Sequence, residues 1–245
     1  MPMGLGKKVM QNINLSKLSF APDVKKEDIR LLPNQGYSND NYIFMVEKQS
    51  YLLRKFKLQD RDRVLEYKVQ TLAYENGFAA KPLHLDLAQG FMVCAYLEGK
   101  HKKVLIRDDL TLFSKHLQTL HNLSLETEVL NLKTLFTTLN TEVEVAFKTI
   151  ESFPTALVLC HNDLNPKNCI FLDKTLKFID WEFAALNDCY FDLATVCVEF
   201  NLNTEDEVYF LETYFKMKDW EKEKLEAYKV IYKALCAEWF TENTL

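Results

Sequence analysis

The spacing of hydrophobic positions changes character once along this chain, near residue 98. Ahead of that point, residues 41–47 (NYIFMVE) and 50–56 (SYLLRKF) are β-type runs joined by Lys48-Gln49, which predicts a hairpin. Residues 61–76 carry Val64, Leu65, Val69, Leu72 and Ala73 at helical spacing, with Gly77 as the expected C-cap. Residues 82–87 and 91–97 flank Ala88-Gln89-Gly90 and predict a second hairpin, so the order reads β-β-α-β-β. After Glu98-Gly99 the spacing is helical. Residues 108–123 put Leu110, Phe113, Leu117 and Leu120 on one side, with Asp108 or Asp109 as N-cap. Residues 126–152 read as a long helical stretch broken near 133–140 and ended by Pro154. Short strands are predicted at 157–159, 169–172 and 176–179, and helices at 188–200, 204–215 and 220–240. The last helix repeats Leu225, Tyr228, Tyr232, Leu235, Cys236 and Trp239 at spacings of three and four.

The three short strands enclose the densest chemistry in the chain. His161-Asn162-Asp163 is followed by Asn168, then by Asp180-Trp181-Glu182. Phosphoryl transfer needs a carboxylate to orient an attacking hydroxyl, and an amide oxygen and a second carboxylate to hold Mg²⁺ against nucleotide phosphates. Asp, four residues, Asn, strand, Asp is the order of a kinase catalytic loop followed by its metal-binding turn. Asp163 is therefore the expected base, and Asn168 and Asp180 the expected Mg²⁺ ligands. If residues 178–182 stay extended, Glu182 faces the same side as Asp180 and could bind a second metal or a metal-bound water. His161 is expected to brace the loop rather than act on substrate.

These residues carry a family resemblance. H-x-D-x-x-x-x-N (His161 to Asn168) and I-D-W-E (Ile179 to Glu182) resemble the motifs of choline and ethanolamine kinases, within the aminoglycoside-phosphotransferase-like small-molecule kinases. The continuation from Glu182 to Asp188, then Phe191-Asp192-Leu193-Ala194, is most similar to bacterial choline kinases. The resemblance implies an α+β, protein-kinase-like bilobal fold. Residues 1–97 would be a small β-rich nucleotide-binding lobe. Residues 98–245 would be a larger helical lobe with the catalytic loop, metal site and substrate pocket. It implies ATP and Mg²⁺ as cofactors and phosphorylation of the choline hydroxyl to phosphocholine. It assigns Gly36, Ser38 and Asn39 to a phosphate-binding loop, although Gln35 stands where the family has a second glycine. Arg54 and Glu66 would be the ion pair that contacts phosphate, and Ala95 and Leu97 the hinge whose backbone meets adenine. Asp192 would tie down the catalytic loop.

Glu199, seven residues after Asp192 in Cys197-Val198-Glu199-Phe200, matches the glutamate that choline kinases place at the substrate. A quaternary ammonium donates no hydrogen bond and is held by charge and by aromatic faces. Trp239 is the first candidate cage wall, with Tyr228, Tyr232 and Phe200 behind it. Related kinases often continue with more helix, whereas this chain stops at Leu245. Ethanolamine, thiamine and aminoglycoside kinases would use the same catalytic set. A nucleotide-binding pseudokinase or scaffold is the alternative from another class.

Composition narrows the partners. Net charge is −5 with no basic run, which argues against nucleic acid; a small amino alcohol is the partner that the resemblance implies. No apolar run approaches a membrane span. The start, MPMGLGKKVMQN, lacks an apolar signal core, and Pro2 is incompatible with myristoylation. Six cysteines without a C-x-x-C pair read as reduced thiols, so cytoplasm is the expected compartment. Oligomeric state is not legible.

Overall fold

The computed structural model describes residues 13–33, 35–58 and 60–243. The amino-terminal readings on signal and lipidation lie outside them. The first half is a five-stranded sheet in the order β1-β2-β3-β5-β4. Its strands are β1 (Arg30–Leu31), β2 (Asn39–Val46), β3 (Gln49–Phe56), β4 (Pro82–Asp86) and β5 (Phe91–Ala95), with helix α1 (Arg63–Glu75) between β3 and β4. All neighbours pair antiparallel. Both expected hairpins form. The first turns one residue earlier than expected, because Val46 pairs with Gln49 and Glu47 takes the left-handed conformation at φ 56°. The two-residue strand β1 carries too little pattern to be read from sequence.

Side-chain alternation along β3 separates two tasks. Tyr51 and Leu53 face a cluster with Tyr42, Phe44, Phe91, Val93 and the amino-terminal Ile13, Leu15 and Leu18. Arg54, one residue out of phase, is buried on the other face, toward α1. Helix α1 is capped by the Asp62 carboxylate, which accepts from the N–H groups of Val64 and Leu65. Its buried face is Arg63, Glu66, Val69, Gln70 and Ala73, while Val64 is exposed. Two charged residues thus lead the inward stripe.

The second half contains α2 (Arg107–His121), α3 (Thr141–Glu151), α4 (Cys189–Glu199), α5 (Thr204–Tyr214) and α6 (Lys222–Asn243). Two small hairpins lie among them: β6 (Leu157–Cys160) with β9 (Ala185–Asp188), and β7 (Cys169–Leu172) with β8 (Thr175–Phe178). Leu110, Phe113, Leu117 and Leu120 of α2 are all fully buried, as their spacing predicts. The α2 N-cap is Ile106, and Asp109 closes the end from the third position by accepting the Ile106 N–H at 3.1 Å. The expected helix over 126–131 is absent. That segment runs extended, with Val129 bridged to Leu186 of β9 and the Leu130 N–H on the Leu186 carbonyl. Tertiary pairing overrides local periodicity there. Asp188, expected to open a helix, caps α4 and also holds buried Lys224 of α6 at 2.6 Å.

The connection between the halves depends on one glycine. Lys100 and Phe171 exchange backbone hydrogen bonds at 2.8 and 2.9 Å, drawing the linker onto β7. Gly99 beside them has φ 153°, and a Cβ there would lie 2.6 Å from Ile170 Cγ2 and 2.7 Å from the Phe171 carbonyl oxygen. Gly99→Ala is expected to cost about 2–4 kcal/mol through backbone strain and overpacking. For a chain of this size that is a drop of roughly 4–16 °C in Tm. An unchanged Tm in thermal denaturation would contradict this close approach.

Candidate active site

The catalytic loop, between β6 and β7, is held from below by Asp192 on α4. The Asp192 carboxylate accepts the backbone N–H groups of His161 and Asn162, each at 2.8 Å, and lies 3.2 Å from His121 Nε2. Burial opposes its ionisation, but these partners hold its carboxyl below the usual range. Asn162 takes φ 65°, which turns the chain so that both N–H groups meet one carboxylate. His161 is fully buried, and burial lowers its pKa. As a neutral ring it donates from Nε2 to the Ile179 carbonyl at 3.0 Å and accepts the Asp163 N–H at Nδ1, 3.3 Å away. His161 and Asp192 both brace the loop in the manner expected of them.

Asp163 and Asn168 meet across the loop. Asn168 Nδ2 donates to Asp163 Oδ2 at 2.7 Å and to the Asp163 carbonyl at 2.9 Å, and Asn165 Nδ2 donates to Asp163 Oδ1 at 2.9 Å. Asn168 Oδ1 makes no hydrogen bond among the described residues and is available as a ligand oxygen. The backbone carbonyl of Asn168 accepts the Ile179 N–H at 3.0 Å, which fixes the loop against the metal turn. Burial pushes the Asp163 carboxyl up to about 7; its two amide donors oppose this, and the charges of Asp180 and Glu199 add to it.

The metal turn differs from the extended form expected. Strand β8 ends at Phe178 and Asp180 takes φ 66°, so side-chain alternation does not carry through to Glu182. Asp180 pairs with Arg54 Nη2, and Arg54 Nη1 pairs with Glu66 on α1. Glu182 instead meets Arg63 Nη1 at 2.9 Å, and the same nitrogen reaches Glu66 at 2.7 Å. The result is a chain Asp180–Arg54–Glu66–Arg63–Glu182. Asp180 is its open end: its side chain is 31% exposed, against 1% for Glu66 and 3% for Glu182. Three carboxylates face two guanidiniums, so the network lacks one positive charge. Oxygen-only donors at Asn168 and Asp180 beside that deficit fit Mg²⁺.

The loop expected to bind phosphate is shaped by side chains rather than by glycine. Gln35 accepts the Asn41 N–H at 2.7 Å and donates to the Asn41 carbonyl at 3.1 Å, a strand-like pairing that occupies the place of the missing glycine. A Cβ on Gly36 would meet nothing nearer than 3.6 Å. The Gly36 carbonyl accepts from Lys57 Nζ at 2.8 Å. Ser38 and Asn39 are buried, and the Asn39 side-chain oxygen, oriented by its neighbours, accepts from Arg54 Nη2 at 2.8 Å. At the hinge, the Ala95 N–H is committed to the Lys81 carbonyl at 2.8 Å, contrary to the expectation that it meets adenine. Leu97 makes no backbone hydrogen bond among the described residues and stays the candidate for the expected hinge contact.

Glu199, at the end of α4, accepts from the Tyr232 hydroxyl at 2.7 Å. Its negative charge adds to burial in raising the Asp163 carboxyl. Trp239, two turns beyond Tyr232 on α6, is 42% exposed and packs edge-on against Tyr37 with ring centroids 5.3 Å apart. Phe200 and Tyr228 are core residues, set against Phe113 and Phe191 at 5.3 and 6.3 Å. Arg63, His121 and Asn165 were not legible as site residues. An Arg three positions before Glu66 on one helix face is the signal that would have exposed Arg63.

A small antiparallel sheet with one helix, followed by a helical half that carries an Asp–Asn–Asp constellation, defines a protein-kinase-like bilobal fold. The model of the choline/ethanolamine kinase family matches residues 97–234, and the chain belongs to that family. Protein LicA of Haemophilus influenzae is 40% identical over 86 residues, 35% of this chain and 32% of that protein. The match thus spans about a third of that relative's length. Among solved structures, choline kinase LicA from Streptococcus pneumoniae superposes with a TM-score of 0.72 at 21% identity, over 89% of this chain and 86% of that one. A choline/ethanolamine kinase family protein from Mesorhizobium loti gives 0.75 at 18% identity, over 97% and 85%.

Proposed function

We propose that this chain is an ATP- and Mg²⁺-dependent kinase that phosphorylates the hydroxyl of a small amino alcohol, choline in first place. The observation that carries the reading is the joint geometry of the loop and the turn: Asn168 donates to Asp163 at 2.7 Å, the Asn168 carbonyl accepts the Ile179 N–H, and Asp180 beside it pairs with Arg54. In this reading Asp180 belongs beside the nucleotide and Glu199 beside a cationic acceptor. Residues 1–97 serve as the nucleotide lobe and 98–245 as the catalytic lobe. Cytoplasm, where ATP is available, is the corresponding compartment. Among the described residues no helix is long and apolar enough to cross a membrane.

In this mechanism Asn168 Oδ1 and Asp180 would hold Mg²⁺, which would supply positive charge to offset that on the transferring phosphoryl group. Arg54 Nη1 is held by Glu66, and Nη2, shared with Asp180 and Asn39, is the donor that would meet the nucleotide phosphates. The Gly36–Asn39 loop covers them, and Leu97 meets adenine. Asp163 accepts the hydroxyl proton of the acceptor and aligns its oxygen. Asn165 and Asn168 aim the Asp163 carboxylate through its two oxygens. Glu199 supplies the charge that selects a cation, and Tyr232 fixes the direction of Glu199. Trp239 and Tyr37 offer aromatic faces at the same end.

Glu199→Ala is expected to raise the KM for choline about 5- to 150-fold, equivalent to about 1–3 kcal/mol for a charge partner of a desolvated cation. The KM for ATP should move little. Glu199→Gln keeps an acceptor for the Tyr232 hydroxyl but loses the charge, and should be nearly as harmful. The uncharged isostere 3,3-dimethylbutanol should be a poor substrate whose turnover neither substitution changes. Steady-state kinetics with an unchanged choline KM in Glu199→Ala would reduce Glu199 to a structural residue and remove the case for choline.

A further inference from the structure

We propose that Arg63 is a positioning residue for the metal-binding turn, acting through Glu182; this rests on the kinase reading above. The backbone of the turn does not by itself aim its two carboxylates, because Asp180 at φ 66° breaks the alternation of β8. Each carboxylate is aimed by its own arginine: Asp180 by Arg54 and Glu182 by Arg63. The two arginines share Glu66, which receives Arg54 on Oε1 and Arg63 on Oε2. A single buried glutamate on α1 therefore sets both ends of the turn.

Arg63 is committed to this task. It opens α1, is buried, and lays its guanidinium 4.3 Å over the Phe56 ring. Its Nε and Nη2 have no hydrogen-bond partner among the described residues, so its polar contacts there are with Glu66 and Glu182 through Nη1. The consequence is positional. Arg63 divides its charge between Glu182 and Glu66, and Arg54 divides its own between Glu66 and Asp180. The Arg63–Glu182 pair ties the far end of the turn to α1 and so holds Asp180, the exposed member, where a cation can reach it. Glu182 on this view orients the turn and does not ligate the metal.

Removing Arg63 alone strands a buried carboxylate and is expected to destabilise the fold. The test therefore uses the charge-neutral pair Arg63→Met/Glu182→Gln, with Arg63→Lys beside it. ATP affinity is measured by calorimetry with Mg²⁺ and with EDTA, and Tm by thermal denaturation. The double variant should keep a Tm near the parent and an EDTA affinity within about twofold, while the gain that Mg²⁺ gives falls by roughly fivefold or more, a shift of the size seen for residues coupled through one network. Arg63→Lys keeps the charge but not the fork and should retain part of that gain. A double variant with the parent's full Mg²⁺ gain would overturn the proposal. Equal loss with and without Mg²⁺ would also overturn it, because that is the signature of a purely structural role. A parent protein that gains nothing from Mg²⁺ would remove the kinase reading itself and this inference with it.

Discussion

Asp163→Asn is expected to lower phosphoryl transfer to the acceptor by about 10²–10⁴-fold, the usual contribution of a positioned general base, while Mg²⁺-ATP binds as before. The substitution is nearly isosteric, and its Oδ1 can still receive the Asn168 amide that now lies on the carboxylate. What it loses is the ability to take the hydroxyl proton. The raised pKa gives the prediction a second readout. A carboxyl held at about 7 is half protonated there, so kcat/KM in the parent should rise with pH through a limb near neutrality. In this reading Mg²⁺ at Asp180 and a cation at Glu199 would neutralise the two charges that add to burial in raising Asp163. The corresponding limb in kcat should therefore lie at lower pH than that in kcat/KM. The sign for stability follows from linkage. The folded pKa lies above the unfolded value near 3.9, so stability from the neutral form is complete below that value and is lost as pH rises through about 7. Asp163→Asn should melt higher than the parent at pH 8 and at the same temperature near pH 4. Near-normal turnover in Asp163→Asn would remove Asp163 from the chemistry.

Asp180→Ala should fail in a different way. It removes the exposed end of the ion-pair chain, leaving Arg54 and Arg63 balanced against Glu66 and Glu182. The charge deficit disappears, and with it the reason for a cation to bind. ATP affinity in the presence of Mg²⁺ should drop about tenfold or more, at least 1.4 kcal/mol. Metal-free affinity should be unchanged or improved, because Arg54 Nη2 is released toward phosphate. Titrations in which the Mg²⁺ effect survives in Asp180→Ala would contradict the assignment of Asp180 to the metal.

The catalytic loop was legible because its chemistry is local: His161, Asp163 and Asn168 lie within one strand–loop–strand unit, and spacing along the chain fixes their geometry. Asp192 and Arg54 were legible through the family resemblance: Asp192 ties down the loop and Arg54 pairs with Glu66 as it implies, whereas the second pairing of Arg54, with Asp180, left no sign in the sequence. The backbone from Phe178 to Glu182 was read as extended because a strand pattern leads into it, whereas Asp180 takes φ 66°, which its residue type permits but does not dictate. Arg63 was missed because hydrophobic periodicity weighs Val64 and Leu65, whereas the inward stripe of α1 begins with two buried charges. Residues 126–131 were read as helix because their pairing partner, Leu186, is remote in sequence. The contact of Tyr37 with Trp239 joins opposite ends of the chain and leaves no local trace.

The central claim is most directly tested by following the terminal phosphate of radiolabelled Mg²⁺-ATP into choline, ethanolamine, thiamine and kanamycin, with the parent protein and Asp163→Asn side by side. The account predicts label in phosphocholine, the highest kcat/KM for choline among the four acceptors, and loss of transfer in Asp163→Asn. No transfer to any of the four by a parent protein that binds Mg²⁺-ATP would contradict it.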